Sequence, residues 1–192
     1  MADDFRTLLR REVPVTDSQA AALETHYQLL ARWNRVLNLT SIRSMEEAVV
    51  RHYAECVFFT SLLPAVTTVL DFGSGGGFPG IPIAVMRAQC QVTLLESHQR
   101  KAVFLREAAR SLSNVSVLSR RGEDAEGTWD LVVSRAVAAP EVIAQLPRFS
   151  QRIGLLAGEE FLGALPDAVR WEEPVRIPWG ASRWALFGEV LQ

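Results

Sequence analysis

The chain has 192 residues, of which 48% are hydrophobic, and its 20 basic and 22 acidic residues give a formal net charge of −2. This length suits one domain with an appendage, and the apolar content is sufficient for a buried core. No run of about 18 apolar residues occurs, which excludes a membrane-spanning helix. The near-neutral charge also argues against a protein that coats nucleic acid broadly, although it leaves room for a local basic patch.

The N-terminus and the cysteines predict a cytoplasmic protein. Acidic residues occupy the start of the chain, where a signal peptide would be basic and then apolar. Cys56 and Cys90 form no C-x-x-C pair and are expected to be reduced and buried. The three histidines are scattered, so no metal site is predicted.

Residues 1–65 are predicted to form a helical layer. A short helix over 3–12 precedes a longer one that begins near Thr16-Asp17, a favourable N-cap. Apolar residues recur along this second helix at steps of three and four, so one of its faces must pack on other structure. A third helix is predicted from an N-cap at Ser44 to about Leu63.

From residue 66 onward, predicted strands and helices alternate, which indicates a parallel sheet with helices on both faces. Strands are predicted near 67–72, 91–96, 115–119, 129–134 and 153–156, with helices near 79–88, 98–112, 122–126 and 140–150. A helix through 161–165 then leads to two strands near 173–177 and 183–191. Their short connection predicts an antiparallel hairpin and one reversed edge of the sheet. The predicted fold is therefore α/β, with residues 66–192 as the sheet domain.

The first predicted strand runs into a loop with little besides glycine. Asp71 closes the strand, and Gly73, Gly75 and Gly77 have the spacing G-x-G-x-G. This arrangement is typical of S-adenosylmethionine-dependent methyltransferases with a Rossmann-like class I sheet. The pattern G-x-G-x-x-G over 75–80 lies late relative to the strand and is a weak dinucleotide fingerprint. The loop predicts a nucleotide-type site, unless the glycines only allow tight packing of the following helix.

Other candidate site residues follow the remaining strands, because ligands of such sheets bind at the carboxyl ends near the topological switch point. Glu96 follows Gly73 by about 20 residues, the distance expected of an acid that binds ribose hydroxyls. It could instead cap a helix or face solvent. The segment 119–124 could hold an adenine through its backbone, or its acids could only complement a short helical turn.

Arg135 closes the fourth predicted strand. A guanidinium at that point could hold a ligand carboxylate or a substrate phosphate in a forked pair. The alternative is a salt bridge to Asp71 or Asp130.

Several segments together carry a resemblance to a known family. They are Trp33-Asn34, Asn38–Ile42, Arg51-His52, Leu70–Ala84, Leu94–Ser97, Arg100-Lys101, Phe104-Leu105, Arg121–Glu123 and Ser134–Ala136. Over roughly residues 30–158 the chain resembles the bacterial 16S ribosomal RNA guanine-N7 methyltransferases called RsmG or glucose-inhibited division protein B. The continuation Phe-Pro-Gly-Ile-Pro from Phe78 is much narrower than a generic glycine loop.

The resemblance implies methyl transfer from S-adenosylmethionine to N7 of one guanine in a 16S rRNA hairpin loop. Cofactor contacts are implied at Gly73, Phe78, Gly122, Glu123 and Arg135; the strand-end argument and the family pattern together add Asp71, Glu96 and Lys101, and the glycine loop adds Gly75. The implied partner is 16S rRNA or the small ribosomal subunit, and the protein is expected to be a monomer without a metal.

The reaction requires little acid–base chemistry. Guanine N7 carries a lone pair and no proton, so catalysis would be mainly positioning, by Arg135 and His52. RNA contacts are expected from Arg32, Arg35, Arg43, Arg51 and Lys101. His52 and the turn Asn38-Leu39-Thr40 are expected over the pocket, in contact with RNA or in support of a loop; Trp33, Phe78 and His52 are possible stacking surfaces, although Trp33 is expected in the core.

Two other functions remain open at this point. A small-molecule methyltransferase would share the nucleotide site but would lack an arginine-lined face, and a non-catalytic nucleotide- or ribosome-binding module would bind a ligand without turnover. The sequence also departs from the family pattern. Glu55 and Cys56 stand where an Asp-Ser pair is common, and Ala157 replaces a lysine, which leaves one phosphate or substrate contact in question.

Overall fold

The structure is a computed structural model that describes residues 3–135, 137, 139–180 and 182–191. Its α-helices are α1 (Phe5–Glu12), α2 (Asp17–Leu37), α3 (Met45–Ala48), α4 (Glu55–Leu62), α5 (Gly80–Met86), α6 (Gln99–Ala108) and α7 (Ala139–Phe149). A π-helix over Val49–Ala54 joins α3 to α4, and 3-10 turns lie at Gly122–Asp124 and Glu159–Ala164. The strands are β1 (Thr68–Phe72), β2 (Gln91–Leu95), β3 (Val115–Leu118), β4 (Leu131–Arg135), β5 (Arg152–Gly158), β6 (Val169–Trp171), β7 (Val175–Arg176) and β8 (Arg183–Val190).

The strands form one sheet in the order β3-β2-β1-β4-β5-β8-β6, and β7 also pairs with β8. Strands β1 to β5 are mutually parallel, whereas β8 runs antiparallel to β5, β6 and β7. The strand order reverses between β1 and β4, so the switch point lies beside the glycine loop. The α/β prediction is therefore confirmed.

The C-terminal region corrects three details of the prediction. The final strands do pair antiparallel, but the reversed strand β8 lies inside the sheet, between β5 and the β6–β7 edge. Residues 185–188 are all buried, as expected of a strand with neighbours on both sides. The three-residue strand β6 was missed, since only Val169 in it is buried. The segment predicted as a helix near 161–165 is a 3-10 turn.

The N-terminal helices begin where the capping residues predict. Thr16 accepts a hydrogen bond from the Gln19 backbone, and the Gln19 side chain accepts one from the Thr16 backbone, which completes a capping box. Ser44 caps α3, because its side chain accepts a hydrogen bond from the Glu47 backbone N–H. The helix predicted from Ser44 to Leu63 is continuous, but its middle six residues are wound as a π-helix, a form that is common at functional sites.

Two apolar cores lie on opposite faces of the sheet. On one face, Phe5, Tyr53 and Phe59 from the N-terminal helices pack with residues of β1, β2, α5 and α6. On the other face, Val142 and Leu146 of α7 pack with the second side of β1, β4 and β5. The N-terminal helices therefore bury one face of the sheet, and their loop at 38–44 is carried to the edge where the parallel strands end.

Candidate active site

A cavity of about 830 Å³ lies at the carboxyl ends of β1, β2 and β4. Its lining includes Phe72, Gly73, Ser74, Gly75, Gly76 and Phe78 from the glycine loop, Leu95, Glu96, Ser97 and Lys101 beyond β2, and Arg120, Arg121, Gly122 and Glu123 beyond β3. Arg135 ends β4, Val137 and Glu141 follow it, and the N-terminal helical layer contributes Leu39, Thr40, Ser41 and His52. The volume is that of a cofactor site, and the position is the switch point predicted from the sequence.

The glycine loop gives the cavity a wall of bare backbone. The N–H groups of Gly73 and Ser74 both donate to the Leu95 carbonyl, at 2.9 and 3.0 Å, which fixes the loop against the end of β2. Gly75 has a φ of +54°, and a Cβ at this residue would have no neighbour closer than the Gly73 carbonyl oxygen at 3.8 Å. The open space beside Gly75 is part of the cavity, so a side chain there would occupy ligand volume.

Glu96 holds the loop and faces the cavity at once. Its two carboxylate oxygens accept hydrogen bonds from the backbone N–H groups of Gly75 at 2.9 Å and His98 at 2.8 Å. His98 is the N-cap residue of α6, so the helix-capping alternative is partly realised. A carboxylate offers about four acceptor sites, and the two that remain are sufficient for the hydroxyls of a ribose.

Asp71 lies behind the loop and does not line the cavity. It is completely buried, and its Oδ2 accepts a hydrogen bond from the Gly80 N–H at 3.0 Å, at the start of α5. Oδ1 has no hydrogen-bond partner among the described residues. Burial raises the pKa of Asp71 to about 7, against the lowering effect of the Gly80 N–H. Its geometry is that of a support for the loop.

Arg135 and His52 meet over the aromatic ring of Phe78. Nη2 of Arg135 lies 2.7 Å from Nδ1 of His52, and the guanidinium carbon lies 5.6 Å from the centroid of the Phe78 ring. The His52 ring stacks on the same Phe78 ring, at a centroid distance of 4.6 Å. These contacts fix the guanidinium at the cavity wall and leave some of its five donors available for a ligand.

The salt-bridge alternatives for Arg135 are not formed. Asp130 accepts three hydrogen bonds from Thr67 and Thr68 at the start of β1, which hold its pKa at about 2. Asp71 lies behind the glycine loop, with Oδ2 hydrogen-bonded to the Gly80 N–H. In the part of the chain that the structure describes, no carboxylate forms an ion pair with Arg135, so its charge is available to an anionic ligand.

The contacts of His52 define its tautomer. A guanidinium can only donate, so Nδ1 of His52 accepts from Arg135 and the ring proton lies on Nε2. Nε2 then donates to Oγ1 of Thr40 at 2.7 Å. Burial, assisted by the charge of Arg135, lowers the pKa of His52 to about 3, and the ring is neutral near pH 7. His52 therefore connects β4 to the loop of the N-terminal layer and is unsuited to act as a general base.

The turn after β3 forms the other end of the cavity. A Cβ on Gly122 would lie 2.7 Å from the Phe72 ring, so a larger residue does not fit there. Arg148 of α7 donates to the carbonyl oxygens of Gly122 at 3.3 Å and Glu123 at 3.0 Å, which fixes the turn. Arg120 and Arg121, from the candidate segment 119–124, line the cavity. Ser97 and Glu141 also line it and were not predicted. Ser97 follows the end of β2, so the strand-end rule could have found it, but nothing in the sequence singles out Glu141 or Arg148.

The residues predicted to bind RNA lie on several surfaces. Lys101 lines the cavity. Arg32 forms an ion pair with Glu107 of α6, and Arg51 forms one with Glu47 one turn earlier. Arg35 and Arg43 instead line a smaller hollow of about 250 Å³ that shares Thr40 with the cavity. Trp33 donates to Glu107 at 2.8 Å and packs edge-on against Phe104, as expected for a core-associated side chain.

None of the three residues that depart from the family pattern lines the cavity. Glu55 is buried 3.3 Å from Arg183; burial raises its pKa, and Arg135 and Arg183 oppose that shift. Cys56 is a buried free thiol whose Sγ lies 3.7 Å from Nη1 of Arg135, and Cys90 is likewise buried and free. Ala157 does not line the cavity.

Among the described residues, no cluster of His, Cys, Asp or Glu could hold a metal, and no helix is long and apolar enough to cross a bilayer.

The cavity fits S-adenosylmethionine chemically. Its bare backbone wall at Gly73–Gly76 accommodates a flat ligand, Glu96 offers acceptors for ribose hydroxyls, and Arg135 offers donors for an amino-acid carboxylate. With the sheet order, these features define the class of S-adenosylmethionine-dependent methyltransferases. Solved structures with the same fold include a methyltransferase of this class from Aquifex aeolicus (TM-score 0.61, 15% identity, 76% of this chain and 93% of that chain). A ribosomal protein L11 methylase from Lactobacillus delbrueckii subsp. bulgaricus has a TM-score of 0.60 at 15% identity, over 73% of this chain and 80% of that chain.

Sequence comparison gives the family. The model of the family described as "GidB: rRNA small subunit methyltransferase G" matches residues 19–156. The ribosomal RNA small subunit methyltransferase G of Dichelobacter nodosus is 41% identical over 150 residues, 72% of this chain and 71% of that protein. Its counterpart from Burkholderia thailandensis is 35% identical over 186 residues, 86% of this chain and 79% of that protein. The chain belongs to the rRNA small subunit methyltransferase G family, and the resemblance found from its motifs is confirmed.

Proposed function

We propose that the protein transfers a methyl group from S-adenosylmethionine to N7 of one guanine in 16S rRNA. The observation that supports this most directly is a cavity of the S-adenosylmethionine type in which the His52 imidazole, next to Arg135, is not available as a general base. Both ring nitrogens of His52 are engaged, and its pKa is about 3. Guanine N7 has no proton to lose, so the absence of a base at this point suits the reaction.

When bound, the cofactor would supply a sulfonium methyl group to the lone pair of N7 and would leave as a neutral thioether. The protein's contribution is alignment of the two reactants, which can supply several kcal/mol of the barrier reduction. Glu96 would accept hydrogen bonds from the ribose, Gly122 and Glu123 would hold the adenine through their backbone, and Arg135 would pair with the carboxylate. Phe78 and His52 hold the guanidinium in place.

The guanine enters from the side of the helical layer. Leu39, Thr40 and Ser41 line the cavity, and Thr40 contacts His52, the partner of Arg135. An arginine that gripped N7 and O6 of guanine together would block the reacting atom. We therefore assign Arg135 to the cofactor and leave the N7 face of the base uncovered. An unpaired loop guanine suits this entry, because its base can be splayed out of the RNA.

The cellular setting that we propose follows from the substrate. The partner is 16S rRNA or the small ribosomal subunit, the protein acts in the cytoplasm as a monomer, and neither a membrane nor a metal takes part.

The test uses labelled S-adenosylmethionine and small subunits that lack this modification. We expect label at N7 of a single loop guanine of the 16S RNA, and no label with the Arg135→Ala variant. Calorimetry with S-adenosylmethionine on the same samples provides the control for cofactor binding. A protein that binds the cofactor but labels no RNA would overturn the proposed substrate, and turnover on a metabolite instead would identify a small-molecule methyltransferase.

A further inference from the structure

We infer that Arg35 and Arg43 form a phosphate-binding subsite for the RNA backbone beside the target nucleotide. This inference rests on the proposed function, because it assigns the substrate contact of that same site. It divides the arginines of the helical layer into two groups with different roles. The division comes from their ion pairing and from the position of the hollow that Arg35 and Arg43 line.

Two of the four arginines are already neutralised. Arg32 is paired with Glu107, and Arg51 is paired with Glu47. The side chains of both ion pairs are 40% exposed or more. By contrast, within the described ranges neither the Arg35 nor the Arg43 side chain has an ion-pair or hydrogen-bond partner, and both residues are exposed. An unpaired arginine retains its full attraction for a phosphate, whereas a paired one must first give up its carboxylate.

The position of these two arginines is fixed relative to the reaction centre. Asn34, the residue before Arg35, is buried, and its side chain both donates to and accepts from the Thr40 backbone at 2.9 Å. Oγ1 of Thr40 accepts from the Ile42 N–H at 3.1 Å and contacts His52 at 2.7 Å. The loop that carries Arg43 is thereby clamped to α2 and to the wall of the cofactor cavity.

The hollow adjoins the cavity through Thr40, which lines both. A base that enters the cavity past Leu39, Thr40 and Ser41 carries its own backbone across this rim. The adjacent phosphate is then directed to the hollow with its two arginines. Arginine also suits this contact better than lysine, since its forked donors match the geometry of phosphate oxygens.

The acidic and titratable groups near the hollow do not cancel this charge. Tyr27 lines the hollow, and its pKa is raised by burial and then by the negative charge of Glu46. Glu46 forms no ion pair with Arg35 or Arg43 in the described structure. A purely structural role, stabilisation of the negative end of the α2 helix dipole, could explain the presence of Arg35. It cannot explain Arg43, which lies beyond the end of that helix.

The experiment compares Arg35→Ala, Arg43→Ala and the double variant with Arg32→Ala and Arg51→Ala as matched controls. Methylation kinetics and cosedimentation with small subunits that lack the modification are measured between low and moderate salt. We expect the double variant to raise KM for the subunits about tenfold or more. The plot of log affinity against log salt has a negative slope, and its magnitude should decrease by about 0.7 for each arginine removed. Cofactor affinity, kcat and the melting temperature should stay at the level of the parent protein, and the controls should keep the parent salt slope.

The outcomes separate this inference from the proposed function. Equal KM and salt slope in the double variant and the controls, with normal labelling by the parent protein, would overturn the subsite and leave the function intact. Loss of cosedimentation in the double variant, with no labelling even by the parent, would support the subsite and overturn the proposed reaction. A parent protein that does not bind the subunits would overturn both.

Discussion

The guanidinium of Arg135 illustrates how single residues build this site. Its partners are an imidazole nitrogen, a thiol and an aromatic face, all of which orient it without neutralising it. Because those contacts come from the helical layer and the glycine loop, they hold the charged guanidinium at the end of β4 in one orientation at the cavity wall. A carboxylate partner would have given equal order but would have cancelled the charge.

Replacing Arg135 with alanine should therefore affect binding more than folding. We expect Arg135→Ala to melt within a few degrees of the parent and to lose S-adenosylmethionine affinity or turnover by tenfold or more, since a charge-assisted pair is removed. Calorimetric titration and thermal unfolding of the same samples measure the two effects. Arg135→Lys, which keeps the charge without the fork, should recover only part of the loss. Normal turnover in the alanine variant would refute the role.

A second prediction concerns the bare wall of the cavity. Valine at Gly75 would place a branched side chain in ligand space and force a β-branched residue to a φ of +54°, so cofactor affinity should fall at least tenfold. Gly163→Val is the matched control, because its added Cβ meets nothing within 4 Å and its φ is not in the left-handed range. Unchanged S-adenosylmethionine affinity in the Gly75 variant would show that the ligand lies elsewhere.

Residues at strand ends could be predicted from the sequence, and residues placed by packing could not. Glu96 and Arg135 follow recognisable strands, so their meeting at one edge is a consequence of parallel topology. The role of His52 as a tether needed the tertiary contact to Arg135, which is 83 positions away. Asp71 followed the same strand-end rule, but its side chain points to the N-terminus of α5 and away from the cavity.

At the scale of elements, local signals were sufficient wherever burial and capping agree. The predicted bounds of β1 to β3 differ from the observed ones by no more than a residue at either end, and Thr16 and Ser44 do begin their helices. The π-winding of Val49–Ala54 has no sequence signal, because it differs from an α-helix only in which backbone groups pair. The short strand β6 also has no recognisable sequence signal, since it is formed only through its pairing with β8.

The capping box of α2 gives an element-scale prediction. Thr16→Ala removes the acceptor for the Gln19 N–H and should cost about 1 kcal/mol of unfolding free energy. For a chain of this size, that corresponds to a fall of about 2–4 °C in melting temperature. Thr16→Ser keeps the hydroxyl and should match the parent in a calorimetric scan. Equal melting of the alanine variant and the parent would mean that solvent replaces the cap without loss.

At the scale of the whole molecule, the helical layer and the sheet share one core, and two histidines are buried in or beside it. Burial lowers the pKa of His26 to about 4, and burial with Arg135 lowers that of His52 to about 3. Below pH 6.5 the unfolded chain takes up protons that the folded chain does not, so the free energy of unfolding falls as the pH decreases. Asp71 acts in the opposite sense between about pH 4 and 7, because its raised pKa favours the protonated folded state.

Removal of one histidine isolates its share of this acid sensitivity. His52→Gln retains an acceptor for Arg135 and a donor for Thr40 but cannot take up a proton. We expect the dependence of unfolding free energy on pH between 4 and 6 to decrease by about 1.4 kcal/mol per pH unit relative to the parent. Chemical denaturation at a series of pH values measures this slope. An identical slope in the two proteins would mean that His52 is free to protonate in the folded state.

The placement of β8 has a consequence for synthesis of the chain. Among the described strands, β6 and β7 pair only with β8, and β8 also covers the edge of β5 from Arg152 to Gly158. The strand that closes the sheet is thus the last of the described strands to be translated. A nascent chain that stops before residue 183 exposes one complete strand edge and leaves two strands unpaired, which is a template for aggregation. Protection of the nascent protein against this aggregation therefore begins only when β8 has been synthesised and has paired with β5.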